Sequence, residues 1–144
     1  MKRTVVVDGS NVAFEEVSGG GKPKMSNLVK VRQELEERGF EPIVIVDASL
    51  YHTVDDPEQL DALINRSEIH QVPAGTDGDY WVLQTADNTD ALVVSNDRFE
   101  PYQDQFAWID ERRIPFMIIN GQVELYQPAL EAISGDASSS VAAE

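Results

Sequence analysis

Thr4-Val5-Val6-Val7-Asp8-Gly9-Ser10-Asn11 is the stretch whose reading decides the fold. Thr4 to Val7 are all β-branched, which favours extended backbone over helix. The valines follow one another without polar alternation, the pattern of a strand buried on both faces, as in parallel sheets covered by helices. The run stops on Asp8 and is followed by glycine, so a carboxylate is left at the strand's carboxyl end where the chain turns.

Working outward, the same kind of segment recurs. Pro42–Asp47, Pro-Ile-Val-Ile-Val-Asp, is a second continuous apolar strand, Glu68–Val72 a third, and Ala91–Ser95 a fourth that runs into Asn96-Asp97. Helical patterns separate them. Ser26 or Asn27 is positioned to cap a helix in which Leu28, Val31 and Leu35 recur at helical spacing, with Arg38-Gly39 at its end. Pro57 opens a short amphipathic helix carrying Leu60, Leu63 and Ile64, and Asp79 to about Asn88 is a third. Glu100–Arg112 is predicted as a helix with Tyr102, Phe106 and Ile109 on one face. Pro115–Ile119 and Gln122–Leu125 flank Asn120-Gly121, a two-residue hairpin signal. A loop is predicted after the first strand, containing the glycine-rich Ser18 to Lys24, and no internal repeat is present. Strands alternating with helices predict a three-layer α/β/α, Rossmann-like domain with a mostly parallel sheet and a C-terminal hairpin. It is expected to span residues 1–133. The small and acidic residues of 134–144 predict a disordered tail.

Length and composition agree with one domain: 144 residues, of which 42% are apolar. No apolar run approaches the ~18–20 residues of a membrane span, and the N-terminal valine run is too short for a secretion signal. The expected compartment is the cytoplasm, with no membrane partner. The absence of cysteine excludes a disulfide framework, a thiolate metal site and a cysteine nucleophile. The formal net charge is −15, with 26 acids against 11 basic residues. Such a surface repels nucleic acid at low salt. Only four of the basic residues are lysines, a composition that fits adaptation to high salt. There the Debye length falls to about 3 Å and the repulsion is screened.

Asp8, Asp47 and Asp97 all end strands, and Asp79 opens the helix after the third strand on the same side of the sheet. Ligands bind α/β sheets beyond the carboxyl ends of their strands. Taken singly, each acid is explained as a turn residue or helix cap: Asp79 as the N-cap of its helix, Asp90 as a turn before the fourth strand. Their shared edge is what suggests a site. Carboxylates gathered without cations repel one another, and a divalent ion relieves that cost. All-oxygen donors favour Mg²⁺ or Mn²⁺, which can activate water and stabilise an in-line displacement at phosphorus.

Val5 to Ala13 resembles the opening motif of NYN/PIN-like ribonucleases of the Regnase (MCPIP, CCCH zinc-finger nuclease) type. Val93-Val94-Ser95-Asn96-Asp97-Arg98-Phe99 resembles a later motif of that group, with Asp90 at the expected distance ahead of it. Leu35 to Phe40 before a strand fits as well, and the resemblance covers roughly residues 3–125. It implies metal-dependent endonucleolytic cleavage of single-stranded RNA with 5′-phosphate products. Asp8, Asp79 and Asp97 fall on metal-binding acids, and Asn11 on an asparagine that orients a water or a carboxylate. The first of two adjacent aspartates in that group is Gly78 here, and a further acid is replaced by Pro101, leaving Glu100 or Asp104 as its substitute. The zinc finger of that group is absent from this sequence, which has no cysteine. Ser10, Arg98, Lys22 and Lys24 are candidates for substrate contact, with a surface ion pair as the plain alternative for Arg98 and a connecting loop for Lys22 and Lys24. His52 reads as structural or exposed rather than as a base. Trp81 and Trp108 are placed within helices, as core or as interface, and the latter is compatible with a homodimer.

Three rival functions make different demands on the sequence. A phosphoacceptor receiver needs an acidic pair after the first strand and a lysine after the fifth; the first strand ends on a lone acid, and Ile118-Ile119-Asn120 contains no lysine. An aspartyl phosphatase needs a second acid at the position of Ser10. The third, a nuclease-like fold kept as a binding module with weak or no catalysis, is compatible with Gly78, Pro101 and the acidic surface.

Overall fold

The computed structural model describes residues 2–16, 20–126 and 128–129. The sheet is built on β1 (Thr4–Asp8), whose three valines are fully buried. Each such side chain contributes about 1.5–3 kcal/mol relative to an exposed position. β2 (Glu41–Val46), β3 (Ile69–Gln71), β4 (Leu92–Val94) and β5 (Arg113–Ile114) complete a five-stranded sheet in the order β3-β2-β1-β4-β5. All four pairings are parallel. Successive strands run outward from β1 through β2 to β3, and the chain then returns to pair β4 on the other side of β1. The order therefore reverses between β1 and β4, the switch point at which such sheets open a crevice.

Alternation along β1 sends Val5 and Val7 into one core and Val6 into another. The first core also takes side chains from α1 (Gly9–Glu15), α2 (Met25–Glu37), α3 (Pro57–Asn65) and the antiparallel hairpin β6 (Phe116–Ile119)–β7 (Gln122–Leu125). The second is covered by α4 (Gly78–Thr89) and by Phe99, Phe106 and Ile109. The expected three layers are present, and the hairpin turns through Asn120-Gly121 as the sequence predicts.

Three local expectations are corrected. The residues after Asp8 form a helix, α1, rather than a loop. α2 begins at Met25, and its first N–H is capped from a distance by Asp55 Oδ1 at 2.9 Å rather than by Ser26 or Asn27. Asn27 is buried and donates to the carbonyls of Val12, Ala13 and Glu16, closing the C-terminal end of α1. Glu100–Arg112 is not one helix. A 3-10 turn at Glu100–Tyr102 and further turns lead to a single helical turn, α5 (Ile109–Arg112). α5 stops because Arg113 and Ile114 extend to pair with β4. The apolar spacing is still used, since Phe106 and Ile109 are buried and the Tyr102 ring lies 6.4 Å from that of Phe106. Trp108 precedes α5 and is held in place within the chain. Its Nε1 donates to Asp87, and the Arg112 guanidinium sits 3.7 Å from its ring centre. Residues 134–144, predicted as a tail, lie outside the described residues.

Candidate active site

The turn after β1 joins three strand ends. A Cβ on Gly9 would meet Ile45 O and Val46 Cγ1 at 2.7 Å, so only glycine lets α1 start this close to β2. Ser10 Oγ accepts the Asp47 N–H at 2.9 Å, tying the motif to the exit of β2. Asn11 Oδ1 accepts the Asn96 N–H at 3.0 Å, tying it to the exit of β4. Asn96 in turn donates to Glu15 and to Phe116 O and accepts from the Phe116 N–H, which fixes the hairpin to the same corner.

Asp8 lies within this frame, 6% exposed, at the β1–β4 switch point. One of its carboxylate oxygens accepts from Ser95 Oγ at 2.8 Å. Ser95 is fully buried and also accepts the Asp97 N–H at 3.0 Å, so one hydroxyl connects both strand-end acids. Asp97 Oδ1 accepts the Phe99 N–H at 2.8 Å, which closes the turn behind it. Asp79 sits half-buried in the first turn of α4. The N-cap of that helix is Asp77, which accepts the Asp79 N–H; Asp79 is thereby free of capping duty. Asp77 also accepts from the Tyr102 hydroxyl, and that bond is the main reason the phenol is pushed up to about 12.

The electrostatics show that the acids share one field. Burial is the largest cause that raises Asp8 to about 7. The Ser95 hydroxyl pulls the other way, and the charges of Asp79 and Asp97 add to the rise. Asp79 is raised to about 6, first by burial, then by the charges of Asp97, Asp77 and Asp47. Among the described residues, none of the ion pairs includes Asp8, Asp47, Asp79 or Asp97. As the side chains stand, no three acid or imidazole groups among the described residues already surround a single point.

The other candidates are placed apart from this centre or used structurally. Arg98 follows Asp97 and is exposed. Lys22 is exposed, whereas Lys24 precedes α2 and pairs with Glu16 at 3.4 Å. Glu100 and Asp104 are exposed on the turns after Phe99. His52 is exposed at the end of a 3-10 turn. Asp90 is a turn residue at the C-cap of α4, paired with Arg112 at 2.9 Å. Sequence reasoning passed over Ser95, although a serine within an apolar strand end must find hydrogen-bond partners once buried. Asp77 was also missed, because Asp77 and Asp79 are equally plausible caps until the helix start is known.

The likeness to known proteins agrees with this geometry. Two solved structures of the nuclear proteinaceous, protein-only RNase P 2 (PRORP2) of Arabidopsis thaliana share the fold. One is 21% identical with a TM-score of 0.69, covering 86% of this chain and 29% of the other. The second is 20% identical with a TM-score of 0.68, covering 88% and 30%. This chain thus spans less than a third of the length of those neighbours. A comparison with curated protein sequences finds no match. The profile of the Zc3h12a-like ribonuclease NYN domain matches residues 1–128, which contain both motifs and Asp8, Asp47, Asp79 and Asp97. The chain belongs to the family of Zc3h12a-like ribonuclease NYN domains.

Proposed function

We propose that this domain is a divalent-cation-dependent endoribonuclease that hydrolyses phosphodiester bonds of single-stranded RNA. The observation that carries the reading is the gathering of Asp8, Asp79 and Asp97 at the switch point, with Asp8 and Asp79 held above the ordinary carboxylate range. The donor set fits Mg²⁺ or Mn²⁺, being all oxygen and strongly anionic. When bound, such an ion supplies water activation and neutralises charge on the reacting phosphate.

The chain's own residues prepare for this. Ser95 fixes the Asp8 carboxylate, and Asn11 holds the backbone turn that presents Asp97. Asp79 and Asp97 are half-buried, whereas Asp8 is buried and held by Ser95. Asp8, raised to about 7, and Asp79, raised to about 6, each keep a proton up to those values, and a cation held there would displace those protons. Arg98, exposed beside Asp97, and Lys22, exposed before α2, are our candidates for contact with RNA phosphates. Lys24 would have to leave Glu16 to do the same. Ser10 accepts from the Asp47 N–H, and its own hydroxyl proton can donate to substrate.

The test is cleavage of a single-stranded RNA with Mg²⁺ or Mn²⁺ across a wide salt range, wild type against Asp8→Asn. Cleavage by wild type and none by the variant supports the proposal. Equal activity of the two would assign the cleavage to a contaminant and end this reading. RNA binding without cation binding or cleavage would make the domain a binding module.

A further inference from the structure

We propose that Asp47 is the fourth carboxylate of the cation site, and that Gly78 exists to leave it room. The inference rests on the cation-dependent reading above and adds a residue to it. A Cβ built on Gly78 would overlap Asp47 Oδ1 and lie 3.0 Å from its Cγ, so the Asp47 carboxyl group fills the space a side chain at position 78 would take. Gly78 does not have a positive φ, and its conformation makes no demand for glycine. A side chain at position 78 would have to displace that carboxyl group. The same placement sets Asp47 against the first turn of α4, one residue before Asp79.

The backbone of Asp47 is fixed from two sides. Its N–H donates to Ser10 Oγ at 2.9 Å, and its carbonyl accepts from the Leu50 N–H at 3.1 Å. Its side chain does neither of the ordinary jobs of a strand-end aspartate. It precedes a 3-10 turn at Ala48–His52 without capping it, and among the described residues it joins no ion pair. Asp47 and Gly78 line the same open cleft, together with Ala48, Pro73, Thr76 and Asp77. A half-buried carboxylate pinned by its backbone, without a counter-charge and given space by a glycine, is suited to a cation shared with Asp79.

The test measures Mn²⁺ binding by the electron paramagnetic resonance signal of free Mn²⁺, using the full chain. Four proteins are compared with wild type: Asp47→Asn, Gly78→Ala, the double variant Asp47→Ala/Gly78→Asp, and Asp8→Asn. Asp47→Asn keeps the shape and the backbone bond to Ser10 while removing the charge. Gly78→Ala keeps every charge and pushes the carboxylate out of its place. Each is expected to weaken Mn²⁺ binding about 10- to 100-fold. The double variant, which moves the acid from one side of the contact to the other, should recover most of the loss. Cation-free melting curves identify any variant that is merely unfolded, and the two single variants act through different atoms. Asp47→Asn binding Mn²⁺ as tightly as wild type overturns this assignment; if Asp8→Asn then still abolishes binding, the three-acid reading survives. A wild type that binds no Mn²⁺ overturns both.

Discussion

Acids at the two ends of the sheet live in opposite surroundings. Glu68 lies just before β3, at the amino edge, and receives Arg32 Nη1 and Arg66 Nε, each at 2.9 Å. Its carboxyl is held below the usual range, mainly by the hydrogen bond from Arg32. At the carboxyl edge Asp8 and Asp79 have burial and other acids for neighbours, and both are raised. The chain can pair acids with arginine and does so at the amino edge. At the carboxyl edge none of the ion pairs among the described residues reaches Asp8 or Asp79, the arrangement that the proposed cation site calls for.

The strongest way to break this contrast is Asp8→Asn. It should lower RNA cleavage more than about 100-fold, beyond the cost of losing a supporting residue, in a single-turnover assay with Mn²⁺. Retained activity would mean that the raised acid is only a structural burden.

Next in size is the pH dependence of the cation-free protein. An unfolded aspartate titrates near about 3.9, whereas Asp8 and Asp79 titrate at about 7 and about 6 in the fold. Between those values the folded state holds protons that the unfolded state has released. Their contribution to stability therefore falls as pH rises, until both acids are ionised above about 7. Wild type should lose more of its melting temperature between pH 5 and pH 8 than Asp8→Asn, in buffers of about those values, and Mn²⁺ should close the gap. A wild-type curve parallel to that of the variant would remove the electrostatic basis of the site.

Ser95→Ala sharpens the comparison at the level of one hydrogen bond. The serine hydroxyl lowers Asp8, so its loss should raise that group further and move the acidic limb of the cleavage profile to higher pH. Activity should fall about 10-fold or somewhat more. A lower rate with an unshifted profile would show Ser95 to be structural only.

The smallest effect is expected at the paired edge. Glu68 has the opposite sign: its lowered value adds stability above the unfolded titration range, and that stability is lost as pH falls through the folded value. Glu68→Gln should flatten only the acidic side of the melting profile, by a small amount that disappears in high salt, because the pair is solvent-screened. A large loss would show the arginine cluster to be a main support of the fold.

Sequence legibility followed the range of the forces involved. The strands were readable because unbroken runs such as Val5–Val7 and Ile43–Val46 satisfy burial on two faces in any parallel sheet. The hairpin was readable because Asn120-Gly121 encodes its own turn. α1 was missed because its seven residues carry too little apolar periodicity, and it is held by Asn27 from the next helix. The long helix predicted over Glu100–Arg112 failed for a related reason. The spacing of Tyr102, Phe106 and Ile109 records which residues reach the core, and turns deliver them there as well as a helix does.

By itself the sequence determined the layers of this domain and the edge on which its acids gather, because both follow from burial patterns local to each segment. It also carried the family motif, Asp8 to Asn11. What those motif residues do was decided by tertiary structure alone. Ser10 reaches Asp47 across 37 positions, Asn11 reaches Asn96 across 85, and Ser95 reaches Asp8 across 87. The place of Asp47 beside Gly78 belongs to the same class. Close approach between distant segments is set by how strands and helices pack, and no local pattern in the chain encodes it.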